Sequence, residues 1–138
     1  MNTNKITLQT KVHVDRAKAW RYYTSAEHIT QWNFASEDWH CPSAQNDMRV
    51  GGKFVARMEA KDGSFGFEFE AVYDAIHEQV GFTYTMTDGR VVKTNFDPVE
   101  GGTLVTVVFD PEDQNPVEFQ RQGWQAILDS YKRYTEAH

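Results

Sequence analysis

Residues 64–76, SFGFEFEAVYDAI, show the strictest alternation of apolar and polar side chains in the chain. Successive side chains of a β-strand point to opposite faces of a sheet, so this period of two predicts a strand. The opposite, solvated face would carry Glu68 and Glu70. The side chains that share its apolar face are Phe65, Phe67, Phe69, Ala71 and Tyr73. Such a row of rings needs another element to cover it.

Strand patterns continue on both sides of this segment. From RVGGKF (49–54) onward, the turn sequences KDG (61–63), TDGR (87–90) and DPVEGG (97–102) separate short apolar runs. The spacing leaves no room for crossover helices, so these runs predict five consecutive antiparallel strands. A first strand is predicted in KITLQTKVHV (5–14).

Helical patterns lie on either side of the strand series. Asp15 is a good N-cap for a helix in DRAKAWRYYT (15–24), and a second short helix is predicted after Ser25. Asn115 is the predicted N-cap of a long C-terminal helix, in which Gly123 predicts close approach of the sheet or a ligand. The apolar stripe of that helix, spaced i, i+3, i+4 and i+7, comprises Trp124, Ile127, Leu128 and Tyr131.

This order of elements predicts one α+β domain over residues 1–138. A curved antiparallel sheet of six strands would wrap the long C-terminal helix, with two short helices between strands 1 and 2. A sheet that curves away from the helix leaves a space between them, and ring-lined walls make such a space apolar.

Several motifs follow one another over essentially the whole chain. They are Trp20, Thr24, Glu27, His28, Ile29 and Trp32, then RVGGKF (49–54), GTLVTVVFDPE (102–112) and GWQAILD (123–129). In this combination they resemble one known superfamily, which contains START, birch-pollen allergen-like (Bet v 1-like) and polyketide-cyclase-like proteins (SRPBCC). Within it, the chain most resembles the small bacterial proteins similar to the C-terminal domain of the activator of Hsp90 ATPase.

The resemblance implies a helix-grip fold, in which a curved sheet encloses an apolar cavity against the C-terminal helix. It does not decide function, because the superfamily holds lipid carriers, hormone receptors, cyclases and co-chaperone domains.

Composition restricts the classes of partner. The formal net charge is −6 and no cluster of Lys and Arg occurs, which argues against binding of nucleic acid or an anionic membrane surface. No apolar run is long enough for a membrane span, and the N-terminus lacks the apolar core of a signal peptide. The single cysteine fits a reducing compartment. We therefore expect a cytoplasmic protein.

The reactive side chains form no convincing catalytic arrangement. His40 and Cys41 are the most reactive-looking pair, but no second pair of metal ligands or obvious base lies nearby in the sequence. Asp47 and Arg49 are more typical of a structural ion pair. We therefore predict no catalytic residues, no metal and no cofactor.

The aromatic residues carry the candidate site. The stretch AEHITQWNFASEDWHCP (26–42) places large apolar side chains in a predicted loop. They would act as a lid over an apolar interior, or as a hydrophobic staple that closes a filled core. The predicted lining of the cavity is Trp32, Phe34, Trp39, Cys41, Phe54, Met58, Phe67, Phe69, Tyr73, Tyr84, Phe96, Phe109, Trp124, Ile127, Leu128 and Tyr131.

Three functions remain open from sequence. The main hypothesis is a protein that binds a small apolar or aromatic ligand between sheet and helix. The alternative is a protein-interaction module with a chaperone partner, which is weakened because the chain lacks the additional N-terminal domain of the chaperone activators. A cyclase- or hydrolase-like enzyme would need a polar dyad inside the cavity. An exposed strand edge could also support a homodimer.

Overall fold

A computed structural model describes residues 5–138 of the chain. The elements follow in the order β1 (Ile6–Val12), α1 (Arg16–Thr24), α2 (Ala26–Trp32), β2 (Trp39–Asn46), β3 (Lys53–Ala60), β4 (Gly66–His77), β5 (Gly81–Met86), β6 (Val91–Val99), β7 (Gly102–Phe109) and α3 (Val117–Ala137). The strands form one antiparallel sheet with the order β1-β7-β6-β5-β4-β3-β2. The sheet is curled into a half-barrel, which confirms the predicted α+β class and the position of the two short helices.

The sheet has seven strands, so the predicted count of six was wrong by one. The additional strand is β2, which begins in the last four residues of the stretch 26–42 and continues to Asn46. Its pairing with β3 shifts register between His40 and Ser43, around Pro42. A bulged edge strand has no clean period of two, because the extra residue moves the following side chains out of phase.

The helix boundaries follow from their caps. The side chain of Asp15 accepts a hydrogen bond from the Lys18 backbone N–H at 2.8 Å, which confirms it as the N-cap of α1. The N-cap of α3 is Pro116 rather than the predicted Asn115. The sheet does not approach Gly123 closely, contrary to the prediction of close approach by the sheet or a ligand, because a Cβ built at this position meets no atom within 4 Å.

The core lies between α1 and the middle of the sheet. Phe96 on β6 is fully buried, with edge contacts to Trp20 at 5.3 Å and Tyr23 at 5.5 Å between ring centroids. The hydroxyl of Tyr131 on α3 donates to the carbonyl of Ala19 on α1 at 2.7 Å. This buried hydrogen bond fixes the C-terminal helix to the first helix.

The free edge of β1 is covered by α3. Three carbonyls on alternate residues of this edge strand accept hydrogen bonds from side chains of the helix. These bonds join Arg121 to Thr7, Gln125 to Gln9 and Lys132 to Lys11, at 3.2, 3.4 and 2.6 Å. The helix is therefore attached along β1, while the sheet curls away from it at β3–β5.

A charged cluster fastens the last turn of α3 and predicts a pH dependence of stability. Glu136 accepts hydrogen bonds from the Lys132 ammonium at 2.7 Å and the His13 backbone N–H at 2.8 Å. Burial would raise the pKa of Glu136, but these bonds outweigh it and lower the pKa to about 2. The stabilisation is complete above the ordinary pKa of 4.5 and is lost as the pH falls toward 2.

Because solvent screens this cluster, we expect Glu136→Gln to lower the free energy of unfolding by only about 1 kcal/mol at pH 7. Urea unfolding from pH 7 to pH 2.5 measures the difference between the variant and the wild type. The difference should shrink as the pH falls. A difference that is the same at both ends of the range would contradict the assignment to the Glu136 carboxylate.

Candidate functional site

A pocket lies between the concave face of the sheet, α2 and the middle of α3. Its volume is about 290 Å³. Most of its walls are aromatic or aliphatic side chains. The lining residues are Leu8, Tyr23, Ile29, Trp32, Asn33, Asn46, Phe54, Met58, Phe67, Phe69, Tyr73, Phe82, Tyr84, Met86, Arg90, Val107, Trp124, Ile127 and Leu128. A space of this size and character is typical of a site for a small molecule.

The register of the strands places these side chains on one face. Tyr73 on β4 lies opposite Tyr84 on β5, and their ring centroids are 5.7 Å apart. Phe69 contacts Tyr84 edge-on at 6.0 Å and Trp124 edge-on at 6.3 Å. Trp124 in turn stacks on Phe109 of β7 at 3.9 Å. The rings of sheet and helix thus meet at the walls of the pocket and leave its middle open.

One pair of polar side chains in the wall is mutually satisfied. The Tyr73 hydroxyl donates to Asn46 Oδ1 at 2.6 Å, and Asn46 Nδ2 donates to the Thr24 carbonyl at 2.6 Å. The Asn46 side chain therefore links the end of α1, the edge strand β2 and the inner strand β4. Burial raises the pKa of Tyr73 above its ordinary value, so this phenol stays protonated at physiological pH.

Two other tyrosines, Tyr23 and Tyr84, line the pocket. Burial raises the pKa of Tyr23 to about 12 and the pKa of Tyr84 well above its ordinary value. Within residues 5–138, the Tyr84 hydroxyl forms no hydrogen bond with the protein. A buried phenol without a protein partner can donate a hydrogen bond to a bound molecule.

One charged side chain also lines the pocket. Arg90 ends the turn between β5 and β6, and its backbone carbonyl accepts a hydrogen bond from the Met86 N–H. Its Nε donates to Asp88 Oδ2 at 2.8 Å. The pocket therefore combines apolar walls with neutral polar groups, among them the Tyr84 hydroxyl, and one cation.

Comparison with known proteins identifies the family. The sequence profile described as Activator of Hsp90 ATPase homolog 1-like protein matches residues 13–136. The chain belongs to this family. No match is found among curated proteins. The predicted membership of the small bacterial branch similar to the activator of Hsp90 ATPase is thus confirmed.

Solved structures of similar proteins agree with this assignment. The AHSA1-like protein from Aeromonas hydrophila is 37% identical, with a TM-score of 0.92 over 97% of this chain and 93% of that one. Protein Chr148 from Cytophaga hutchinsonii is 45% identical, with a TM-score of 0.84 over 96% and 92% of the two chains. Protein CV1439 from Chromobacterium violaceum, at 20% identity, shares the fold with a TM-score of 0.86 over 98% and 99%.

The pocket of this Activator of Hsp90 ATPase homolog 1-like chain brings ten of the sixteen predicted lining residues together. The ten are Trp32, Phe54, Met58, Phe67, Phe69, Tyr73, Tyr84, Trp124, Ile127 and Leu128. Their role in binding stays a prediction. The structure places the other six elsewhere.

Three of those six residues belong to the core, since Phe96, Phe109 and Tyr131 are fully buried and do not line the pocket. Phe34 is partly buried outside the pocket. The last two, Trp39 and Cys41, lie on β2 and do not line the pocket. Their predicted place in a loop was wrong, because β2 pairs with β3.

Cys41 is buried on β2, and its Sγ lies 3.4 Å from the Ser43 carbonyl. Burial raises the pKa of the Cys41 thiol, so it is protonated at neutral pH and weakly nucleophilic. His40 lies apart, with its Nε2 3.7 Å from Glu59 Oε1. The predicted ion pair of Asp47 and Arg49 is confirmed, with 2.8 Å between Arg49 Nε and Asp47 Oδ2.

Two further kinds of feature are absent from residues 5–138. No cluster of three His, Cys, Asp or Glu side chains is arranged to hold a metal. In the same residues, no helix is long and apolar enough to cross a membrane.

Sequence reasoning missed nine residues of the pocket wall. Some carried a usable signal: Phe82 and Met86 alternate with Tyr84 on the same strand. Arg90 lies two residues before the inward-facing Val92, so it extends the alternation of β6 into the end of the turn. The polar pair Asn33 and Asn46 gave no signal, because it reaches the pocket only through the irregular segment around β2. The nine are Leu8, Tyr23, Ile29, Asn33, Asn46, Phe82, Met86, Arg90 and Val107.

Proposed function

We propose that the protein binds a small apolar or aromatic molecule in the pocket between the sheet and α3. The observation that carries the proposal is an open space of about 290 Å³ among aromatic side chains. Protein interiors are normally close-packed, so an apolar space of this size is costly unless it has a use. A ligand that buries about 200 Å² of apolar surface would gain about 5 kcal/mol from the hydrophobic effect.

The family supports this proposal at the level of class. The fold suggests a module that binds a ligand or acts like a co-chaperone. The pocket favours the first role, since a module that acts only through its surface has no need of an unfilled interior. The unpartnered Tyr84 hydroxyl would set the orientation of a ligand, because a buried donor binds best to a molecule that offers it an acceptor.

One observation favours the second role, a protein-interaction module. Trp39, Phe65 and Phe67 form an aromatic patch at the end of the β3–β4 hairpin, with ring centroids 5.9–6.2 Å apart. The exposed fractions are 61% for Phe65 and 40% for Phe67. Exposed rings in a cluster are a feature of contact surfaces. A chaperone partner is therefore the second proposal, and a role that uses only this patch predicts no small molecule in the pocket.

Native mass spectrometry of protein purified from its own host tests the first proposal directly. An additional mass that is lost on denaturation would support a ligand carrier and would identify the ligand class. A bare protein mass, together with no binding of the neutral apolar probe N-phenyl-1-naphthylamine, would contradict it. That result would leave the interaction module as the better proposal.

A variant that fills the pocket gives a sharper test. Met86 lines the pocket and is only partly buried, so Met86→Trp adds volume with little strain. We expect this variant to bind N-phenyl-1-naphthylamine at least about tenfold more weakly than the wild type, because about 1.4 kcal/mol of lost contact gives this change. Titration followed by probe fluorescence measures the affinity.

The matched control for this variant is Val72→Trp, which adds the same ring on the exposed face of β4. Probe affinity of the control should equal that of the wild type. If both substitutions weaken probe binding equally, or if neither weakens it, the probe binds outside the pocket.

A further inference from the structure

We infer that the molecule bound in the pocket is an amphipathic anion, an aromatic or aliphatic carboxylate whose charged group pairs with Arg90. The inference rests on the proposed function and adds the chemical class of the ligand.

The strand register places Arg90 on the concave face. On β6 the inward positions Val92, Thr94 and Phe96 are buried, and Arg90 is the preceding position of the same alternation. The Met86 N–H donates to the Arg90 carbonyl, so the two side chains lie opposite each other on the pocket side. A charged residue at an inward position of an apolar face requires a partner, because an unpaired charge in such surroundings is costly.

Burial distinguishes Arg90 from an ordinary surface arginine. Arg49 forms the same local pair, with its Nε donating to the carboxylate two residues earlier at 2.8 Å, but 76% of its side chain is exposed. Arg90 makes that bond to Asp88 at the same distance with only 20% of its side chain exposed. The pair with aspartate alone therefore does not explain why Arg90 lies in the pocket wall.

The terminal nitrogens of Arg90 are the available donors. Of the three guanidinium nitrogens, only Nε donates a hydrogen bond to Asp88. Among residues 5–138, neither Nη atom of Arg90 donates a hydrogen bond to the protein. The other nearby carboxylate, Asp110, is already engaged by the Lys5 ammonium and by the Val91 N–H at 2.9 Å. The hydrogen bond from Lys5 is the main cause of the lowered pKa of Asp110. The planar guanidinium matches the two oxygens of a carboxylate, so an anionic group of the ligand would complete its bonding.

The remaining walls define the rest of the molecule. Tyr84 is two positions from Met86 on β5 and is therefore a diagonal neighbour of Arg90 on the same face. Its free hydroxyl provides a neutral donor beside the cation. Beyond them the walls are rings and aliphatic chains, such as Phe69, Trp124 and Leu128. The pocket thus suits an apolar body with one acidic end.

Isothermal titration calorimetry with two probes of equal shape tests the inference. The probes are naphthalene-2-carboxylate and its neutral amide, naphthalene-2-carboxamide, at pH 7.5. We expect the wild type to bind the carboxylate at least about tenfold more tightly than the amide, as for a hydrogen-bonded charge pair. Arg90→Gln should weaken carboxylate binding about tenfold to a hundredfold and change amide binding less than about twofold.

Two further variants control the experiment. Arg49→Gln removes the same charge from the same kind of pair outside the pocket and should leave both affinities unchanged. Arg90→Lys keeps the charge without the planar fork, so its carboxylate affinity should fall between those of the wild type and Arg90→Gln. It also serves as the test if Arg90→Gln proves unfolded by circular dichroism.

The outcomes separate the inference from the proposed function. If the wild type binds N-phenyl-1-naphthylamine but prefers the carboxylate no more than the amide, the inference fails and the proposed function stands. The inference also fails, and the proposed function stands, if Arg90→Gln and Arg90→Lys bind the carboxylate as tightly as the wild type does. If the wild type binds none of the three probes, the proposed function fails and the inference with it.

Discussion

Replacing Phe96 with alanine is expected to lower the free energy of unfolding by about 3–5 kcal/mol. Phe96 is fully buried on β6 and packs edge-on against Trp20 and Tyr23 of α1. Truncation removes a ring from a close-packed region and leaves a cavity that its rigid neighbours cannot fill. Urea unfolding followed by circular dichroism measures the loss.

The matched control is Phe69→Ala, which removes the same ring from the wall of the pocket. Phe69 is only partly buried and already borders open space, so we expect a smaller cost of about 1–2 kcal/mol. The control should instead weaken binding of N-phenyl-1-naphthylamine, which Phe96→Ala should affect only through stability. Equal losses of stability from both substitutions would contradict the division between core and pocket.

Asn46→Ala is expected to cost about 2–4 kcal/mol, although the residue is polar and near the sheet edge. Its amide accepts from Tyr73 and donates to the Thr24 carbonyl, both at 2.6 Å. Truncation leaves a buried phenol donor and a helix-end carbonyl without partners, and each orphaned group costs about 1–3 kcal/mol. Chemical denaturation of the purified variant provides the measurement.

Tyr73→Phe isolates half of that network. It removes the hydroxyl that donates to Asn46 and leaves the bond from Asn46 to Thr24 in place, so about 1 kcal/mol is expected. The double variant should be less destabilised than the sum of the two single variants by about 1 kcal/mol, because the bond they share is lost only once. Strict additivity would show that the two side chains do not interact in solution.

The fold was predictable because its main elements follow simple periods. The alternation of residues 67–73 and the apolar stripe of α3 are signals of local geometry, and each is present in the structure, whereas Phe65 lies before β4 and is 61% exposed. Strand β2 was not predictable in the same way. Pro42 and the register shift after His40 interrupt its period, and its pairing with β3 is a tertiary effect that local propensity does not encode.

The candidate site was predictable only in part, for a related reason. A period identifies the face on which a ring lies, but not whether that face meets a packed helix or open space. Phe96 and Phe69 both lie on the concave face of the sheet, yet α1 covers the first and the curl of the sheet leaves the second beside the pocket. Arg90 was missed because a charged residue next to a turn is normally assigned to solvent.

The bonds from α3 to the carbonyls of Thr7, Gln9 and Lys11 have a consequence for the protein at high concentration. An unpaired strand edge is a template on which another chain can add a strand, and this is a common start of aggregation and strand exchange. On β1 those acceptors are occupied by Arg121, Gln125 and Lys132. The opposite edge, β2, carries Pro42, which has no N–H to donate. Both edges of the sheet therefore offer fewer free backbone groups to another chain, which favours a protein that stays dispersed. A homodimer formed by strand addition would have to use the β2 edge, because the β1 carbonyls are occupied.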